Sequence, residues 1–368
     1  MKQERLRVLI AGGGSGGHVI PALAIARELV KSDVAQIRFI GTARGMETRL
    51  VPAAGFPLDL IRVGQLNRVR LTTKLATLGR LPFSVLACVG LLRKHRPHVV
   101  LGVGGYASGP AMLAAILTGT PRVAFEPNAV PGMANRWIGR WVQAAAVNFP
   151  DTTGYFRHAH VTGIPVRPEF FSLPPRPVDA PPRLLVFGGS QGARVLNRMV
   201  PQIAADLLQA VPGLTILHQS GAQHVEGTRQ AYLQSEELRQ RWSDSWSVEP
   251  FFDDMPARFG SASLVLCRSG ASTVAELAAA QKPSLLIPFP RAADDHQRRN
   301  AEVFVQAGGA AMLIESELTP QRLLAELIRL LQDSQYLATM GQKARNLAHA
   351  DAAASIASLL KQQQPAES

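Results

Sequence analysis

Two glycine-rich segments each join a short apolar run to a helical pattern, and together they restrict this chain to a doubly wound α/β design. The first is Gly12-Gly13-Gly14-Ser15-Gly16-Gly17-His18 after Leu6 to Ala11, and the second is Gly188-Gly189-Ser190-Gln191-Gly192-Ala193-Arg194 after Leu184 to Phe187. Glycine takes positive φ, lets backbone approach a ligand, and leaves N–H groups at the positive end of a helix aimed at an anion. Around these turns the pattern alternates. Strands are expected at Leu6–Ala11, Ile37–Ile40, Leu58–Ile61, Val99–Leu101, Val123–Phe125 and Ala144–Val147, then again at Leu184–Phe187, Leu214–Leu217, Ser247–Glu249, Leu264–Leu266, Ser284–Ile287 and Ala311–Leu313, with helical patterns such as Pro21–Lys31 and Leu71–Lys94 between them. Such alternation folds as parallel sheets covered on both faces. The expected fold class is α/β, with two Rossmann-like doubly wound domains.

At 368 residues the chain exceeds what one hydrophobic core usually serves. Pro165, Pro168, Pro174, Pro175, Pro177, Pro181 and Pro182 crowd a stretch without periodicity, which reads as a stiff hinge. The domains are therefore expected at 1–165 and 183–368, with 166–182 as the hinge. The run from Thr319 to Lys361 is helical in pattern, broken near Asp333-Ser334 and at Asp351. It is expected to pack on the second domain, with its last helix long enough to cross back to the first.

A formal charge of +12 calls for an anionic partner. Few aromatics and no zinc-finger or RNA-recognition signature argue against nucleic acid. From Ile61 to Phe125 there is no Asp or Glu, while Arg62, Arg68, Arg70, Lys74, Arg80, Arg93, Lys94 and Arg96 fall inside that stretch. Cys88 and Cys267 both sit in apolar surroundings in different halves and read as free thiols in a reducing compartment. The N-terminus has no signal-peptide pattern, and the longest apolar stretch, Leu81 to Leu92, is far short of the ~20 residues of a membrane span. The expected location is cytoplasmic, with contact to a membrane surface at most.

The first glycine turn fits a dinucleotide fingerprint only when read from Gly12, and no ribose-binding acid stands at the end of the second strand, Phe39-Ile40-Gly41-Thr42. It also lacks the Gly-Lys-Ser/Thr ending of a P-loop. His18 falls in the first helical turn, where a side chain faces whatever the loop binds. An ordinary helix-start residue is the plainer account of it. No Asp-x-Asp pair for a divalent ion occurs, and Asp253-Asp254 and Asp294-Asp295 read as caps or solvated surface. No metal or other cofactor is expected.

Gly12 to His18, Gly104-Gly105-Tyr106-Ala107-Ser108-Gly109-Pro110, Glu126-Pro127-Asn128, Gly188 to Ala193, Asp253-Asp254-Met255 and Cys267 to Glu276 run in order through most of the chain, and jointly they resemble the MurG family of bacterial glycosyltransferases. The resemblance implies a GT-B architecture, two lobes facing a cleft, and transfer of N-acetylglucosamine from UDP-GlcNAc to lipid I with inversion, giving lipid II of peptidoglycan. It implies that Ser269, Gly270, Ala271, Ser272, Thr273 and Val274 carry the donor diphosphate and that Glu276 holds the ribose hydroxyls. Ser190 would contact the donor, Phe252 would lie against the uracil, Gln297 and Asn300 would bind sugar hydroxyls, and Arg167 would meet the diphosphate. Ser15, Gly16, Gly17 and Asn128 would complete the UDP-GlcNAc contacts.

On the acceptor side, Gly13 and Gly14 with Gly104 and Gly105 would cradle the lipid I diphosphate through free N–H groups. His18, Tyr106, Glu126 and Asn128 would surround the acceptor hydroxyl. Many members read His-Glu-Gln-Asn where this chain reads Phe125-Glu126-Pro127-Asn128, so His18 becomes the first candidate base and Glu126 the second. The acid-free stretch, over 66–96, would dock on the anionic inner face of the plasma membrane, with Leu75, Leu78, Leu81, Phe83 and Leu86 between the basic residues. Cell-wall synthesis proteins are the further partners the resemblance suggests. A UDP-GlcNAc 2-epimerase shares the two lobes and the donor and is the alternative. A dehydrogenase would need the missing ribose-binding acid.

Overall fold

The computed structural model describes residues 5–14, 16–31, 35–63 and 71–364, with the backbone alone over 71–80 and at Ala293. The chain divides into two compact units, one of residues 1–165 with 351–368 and one of residues 166–350.

The first unit is built on seven parallel strands: β1 Leu6–Ala11, β2 Ala35–Thr42, β3 Leu58–Ile61, β4 Val99–Gly102, β5 Arg122–Glu126, β6 Ala144–Val147 and β7 Ala159–Val161. Their order is β3-β2-β1-β4-β5-β6-β7. The second unit has six: β8 Arg183–Phe187, β9 Thr215–Gln219, β10 Trp246–Glu249, β11 Leu264–Cys267, β12 Ser284–Leu286 and β13 Ala310–Met312, ordered β10-β9-β8-β11-β12-β13. All pairings are parallel. The central strands are buried along nearly their whole length, as sheets covered on both faces require, which is why they read as unbroken apolar runs.

In each sheet the strand order reverses once, between β1 and β4 in the first and between β8 and β11 in the second. Loops leaving the carboxyl ends of those two strands splay apart and form the ligand crevice of an open α/β sheet. Four glycine-bearing loops, beginning at Gly12, Val103, Gly188 and Arg268, leave these four strands.

Helices run over Gly16–Val30, Leu71–His95 and Arg194–Ala210, the first beginning five residues before the expected Pro21, directly at the end of the glycine turn. Ala, Leu and Ile at helical spacing bury one face of Gly16–Val30, including Ala22, Ile25, Ala26 and Leu29. The C-terminal run is three helices. Pro320–Leu331 starts at Thr319, whose hydroxyl accepts from Arg322 N, and Ser334–Arg345 starts at Asp333, whose carboxylate accepts from Tyr336 N. The third, Ala352–Lys361, packs on Gly16–Val30 and belongs to the first unit. Its buried Ile356, Leu359 and Leu360 form the stripe that does so. The last helix thus lies with the first unit, while the two before it, Pro320–Leu331 and Ser334–Arg345, belong to the second.

Residues 166–182 also differ from the expected featureless hinge. Pro168–Phe171 is a short helix with Pro168 in its first turn, and Phe170 is fully buried edge-on against Phe259 at 5.1 Å. Arg176 donates to the Ser261 and Ala180 carbonyls, so the proline segment is packed as part of the second unit. The edge strand β7 was missed because Ala-His-Val is too short and too polar at its centre to read as a strand. Cys88 and Cys267 are buried free thiols, and burial pushes Cys88 up to about 12 and Cys267 higher still, so neither is a nucleophile at neutral pH.

Candidate functional site

In the first unit the loops after β1 and β4 are pressed together. Gly105 has φ +80, and a Cβ there would strike the Gly13 carbonyl; a Cβ at Gly12 would meet Val103 and Gly104. His18, half-buried in the first turn of Gly16–Val30, lays its ring on Gly104, whose added Cβ would sit 2.9 Å from His18 Nε2. The histidine is thus held at the switch point against the second glycine loop. Tyr106 is exposed beside it in sequence, before the helix Ser108–Leu117, whose start carries no side-chain cap. Ser15 lies outside the described residues.

Glu126 ends β5 and is 3% exposed. Its Oε1 accepts from Asn128 N (3.0 Å) and Asn128 Nδ2 (3.1 Å), and its Oε2 from Gly132 N (3.1 Å) and Asn135 Nδ2 (2.9 Å). Burial pushes its carboxyl above the usual range while those four donors pull it back. A carboxylate with four donors in place is built to hold the 126–135 turn, and it leaves Asn128 with its amide already committed. Phe125 is completely buried in the sheet.

In the second unit the loop 188–193 is bound to its neighbours through backbone. Gly192 has φ +72 and lies so close to Ser220 that a Cβ would overlap its carbonyl. Gln219 is the linchpin here. It is 1% exposed at the end of β9, donates to the Gly189 carbonyl at 3.0 Å and accepts from Phe252 N at 3.0 Å. Ser190, at the loop's tip, is exposed.

After β11, Gly270 starts the helix Ala271–Ala279 in extended conformation with no side-chain cap. Ser272 Oγ is buried and has no hydrogen-bond partner, although a hydroxyl normally finds one. Thr273 is half-buried nearby and Val274 is core. Glu276 is half-buried one turn on. Burial pushes its carboxyl up to about 7, and the Arg167 guanidinium pulls it down. Arg167 itself is exposed, stacked 5.0 Å over Phe170.

Three of the expected site groups already have partners within the protein. Asn300 is fully buried and donates to the Ser269 carbonyl, bracing the loop from behind. Phe252 is 3% exposed with Arg258 4.9 Å over its ring, and the aromatic side chain of that pair in solvent is Phe251, 51% exposed. The Gly14 N–H is donated to Glu47 Oε2 at 2.7 Å and is not free for a phosphate. Ser269 is buried and donates to the Gln297 carbonyl at 2.7 Å, while Gln297 Oε1 accepts from Phe289 N. Sequence reasoning missed Gln219, Asn135 and Glu47. The last stands out only as a lone acid two residues after Gly45.

The sequence of each unit matches a known domain. The glycosyltransferase family 28 N-terminal domain matches residues 8–147 and the family 28 C-terminal domain residues 183–356. The UDP-N-acetylglucosamine–N-acetylmuramyl-(pentapeptide) pyrophosphoryl-undecaprenol N-acetylglucosamine transferase of Solibacter usitatus is 44% identical over 96% of this chain and 95% of its own length. That of Shewanella oneidensis is 41% identical over 95% and 96%. The crystal structure of Acinetobacter baumannii MurG superposes with a TM-score of 0.82 at 32% identity, covering 97% of this chain and 99% of that one. A Listeria monocytogenes protein described as a UDP-N-acetylglucosamine 2-epimerase reaches a TM-score of 0.68 at 13% identity, over 97% of this chain and 96% of its own, a likeness of fold alone. With both family 28 domains in order and full-length relatives above 40% identity, the chain belongs to the MurG family of N-acetylglucosamine transferases, with the two Rossmann-like domains of the GT-B fold.

Proposed function

We propose that this chain transfers N-acetylglucosamine from UDP-GlcNAc to the MurNAc 4-hydroxyl of lipid I, the first unit holding the acceptor and the second the donor. The observation that carries the division is the pair of glycine-bearing loops at the switch point of each sheet, with His18 on one pair and Glu276 beside the other. His18 takes the proton of the acceptor hydroxyl as its oxygen attacks C1 of the sugar. The bond from C1 to the phosphate oxygen breaks on the opposite face, its electron pair leaves with UDP, and the anomeric centre inverts. Of the two candidate bases, His18 has the better claim, because the Glu126 oxygens are each already met by two donors.

Charge building on the departing diphosphate is met by the N-terminus of Ala271–Ala279, worth about half a positive charge, and by Arg167. The unpartnered Ser272 hydroxyl is supplied by the same ligand. Glu276 in its ionised form accepts both ribose hydroxyls. The absence of an Asp-x-Asp pair in the sequence supports a transfer that runs without a divalent ion. Gly16 and Gly17 lie with His18 at the start of the first helix, and their part is to let acceptor and donor groups come close.

The chain works on the inner face of the plasma membrane. Leu71–His95, Ser108–Leu117 and Met133–Ile138 lie side by side, and each exposes large apolar groups: Phe83 and Leu86, Leu117, and Trp137. Arg93, Lys94, Arg136 and Arg140 are exposed among them. Apolar side chains mixed with cations suit an anionic lipid surface. Of the basic stretch over 66–96, residues 66–70 and the side chains of Lys74, Leu75, Leu78 and Arg80 lie outside the described residues. No described helix is long and apolar enough to cross a membrane.

Incubation with UDP-GlcNAc, with and without lipid I, tests the reaction. UDP release only with lipid I, unchanged by a chelator, is the expected result. Isomer formation without lipid I means an epimerase, and neither product sinks the enzymatic reading.

A further inference from the structure

Among the described residues, Glu47 is the one carboxylate buried beneath the first glycine loop, and nothing in the transfer itself uses it. It is 1% exposed, at the start of the short helix Glu47–Ala53. Its Oε2 accepts from Gly14 N at 2.7 Å, and its Oε1 from Thr42 N at 2.9 Å and Thr42 Oγ1 at 3.0 Å. The Gly14 carbonyl in turn accepts from Met46 N at 3.2 Å. Both backbone groups of Gly14 are therefore spent on this helix start. Gly14 has φ +93, so the loop at that point is held in a conformation that few residues adopt.

Three glycines make room for the carboxyl group. A Cβ at Gly13, Gly41 or Gly45 would overlap Glu47. A buried charge is expensive unless donors surround it, and a chain that keeps three glycines to house one carboxylate gains something from its position. Two residues on in sequence is the start of Gly16–Val30, with His18, whose ring rests on Gly104.

We propose that Glu47 is a positioning residue for the acceptor side. It ties the end of β2, through Thr42, to the glycine loop, through Gly14, and so fixes where the loop delivers His18. It also makes the 12–17 loop an asymmetric cradle. Gly14 gives its N–H to the protein, leaving the substrate anion to other amides. The inference rests on His18 as the base of the lipid I reaction, and touches nothing in the second unit.

The test is steady-state kinetics of Glu47→Gln, Glu47→Asp and Thr42→Val with lipid I or a soluble analogue, beside UDP-GlcNAc titration and thermal melting. In Glu47→Gln an amide NH₂ must face either Gly14 N–H or the Thr42 donors. The expected result is a fall in kcat of about 100-fold, the cost of a misplacement near 1 Å, with the acceptor KM raised and the Kd for UDP-GlcNAc unchanged. Thr42→Val, which keeps the fold and removes one of three bonds, should show the same split at smaller size. Glu47→Asp should recover part of kcat. Wild-type kcat and acceptor KM in Glu47→Gln overturn the proposal, as does a lowered melting temperature with full kcat, which would make Glu47 merely structural. If Glu47→Gln does not fold, unchanged kcat in Thr42→Val overturns it. Failure of the parent reading is separate: wild-type protein would then release no UDP with lipid I.

Discussion

Glu276 carries opposing demands at one position. Its carboxyl is pushed up to about 7 by burial, against the pull of Arg167. An acid with a raised folded pKa binds its proton more tightly folded than unfolded, so stability falls as pH rises from the unfolded value near 4.5 to about 7. Glu276→Gln should therefore melt above wild type at pH 8, and the gain should shrink as pH falls through 7 and be gone below pH 4.5, as calorimetry of the ligand-free protein can show. The same change should raise the donor KM about 10- to 100-fold, the value of hydrogen bonds to a charged acceptor. Wild-type affinity for UDP-GlcNAc, measured by titration without acceptor, should decline below pH 7 as the carboxylate protonates, and the variant should lose that dependence. Donor binding indifferent to both pH and substitution would remove Glu276 from the site. His18→Ala, by contrast, should cost roughly 10²- to 10⁴-fold in kcat, as a lost general base does, with UDP-GlcNAc binding intact by titration. Should Glu126→Gln cost that much and His18→Ala not, the base is Glu126.

Two glycines report on the proposed division of labour between acceptor and donor. Gly105 has φ +80 over the Gly13 carbonyl, and Gly192 has φ +72 over that of Ser220. An alanine at either site pays ~1–2 kcal/mol for left-handed backbone before any clash. Gly105→Ala should lower turnover of lipid I while UDP binding by calorimetry stays within twofold. Gly192→Ala should weaken UDP binding about tenfold or more, because Gln219 ties that loop to Phe252. The reverse pattern would exchange the roles of the two units. The sequence already shows the elements that frame these loops, because strands buried on both faces leave unbroken apolar runs such as Leu184–Phe187 and glycine marks their ends. It does not show which strands are neighbours. β1 beside β4, and β8 beside β11, come from crossovers of the chain, and only that pairing makes four loops into two crevices. Side chains that brace from below are hidden for the same reason: Glu47 reaches back to Gly14, 33 residues away, and Gln219 to Gly189, 30 away. Phe252 is tied through Gln219 to the loop at 188–193, and Asn300 to Ser269, yet both side chains are buried.

For the molecule as a whole, a net charge of +12 and the acid-free stretch from Ile61 to Phe125 place the electrostatic work on the first unit, the one proposed to meet a lipid-borne acceptor. Trp137 and Trp141, 78% and 53% exposed, extend the apolar surface beyond Phe83 and Leu86. Tryptophan suits the membrane interface because its ring is apolar and its N–H can stay wet. Each cation near an anionic surface is worth ~1 kcal/mol, so Arg93→Gln with Lys94→Gln should lower the partition onto vesicles of anionic lipid by roughly 30-fold. Trp137→Ser should weaken the same binding with little change in its salt dependence, whereas the cation pair should flatten the salt curve, since only charge is screened. Neither variant touches the loops at the switch point, so turnover of a soluble acceptor should equal that of wild type. Vesicle sedimentation across a salt series, run beside that soluble assay, separates docking from chemistry; equal losses in both would mean that these residues support the fold of the first unit and do not meet the membrane.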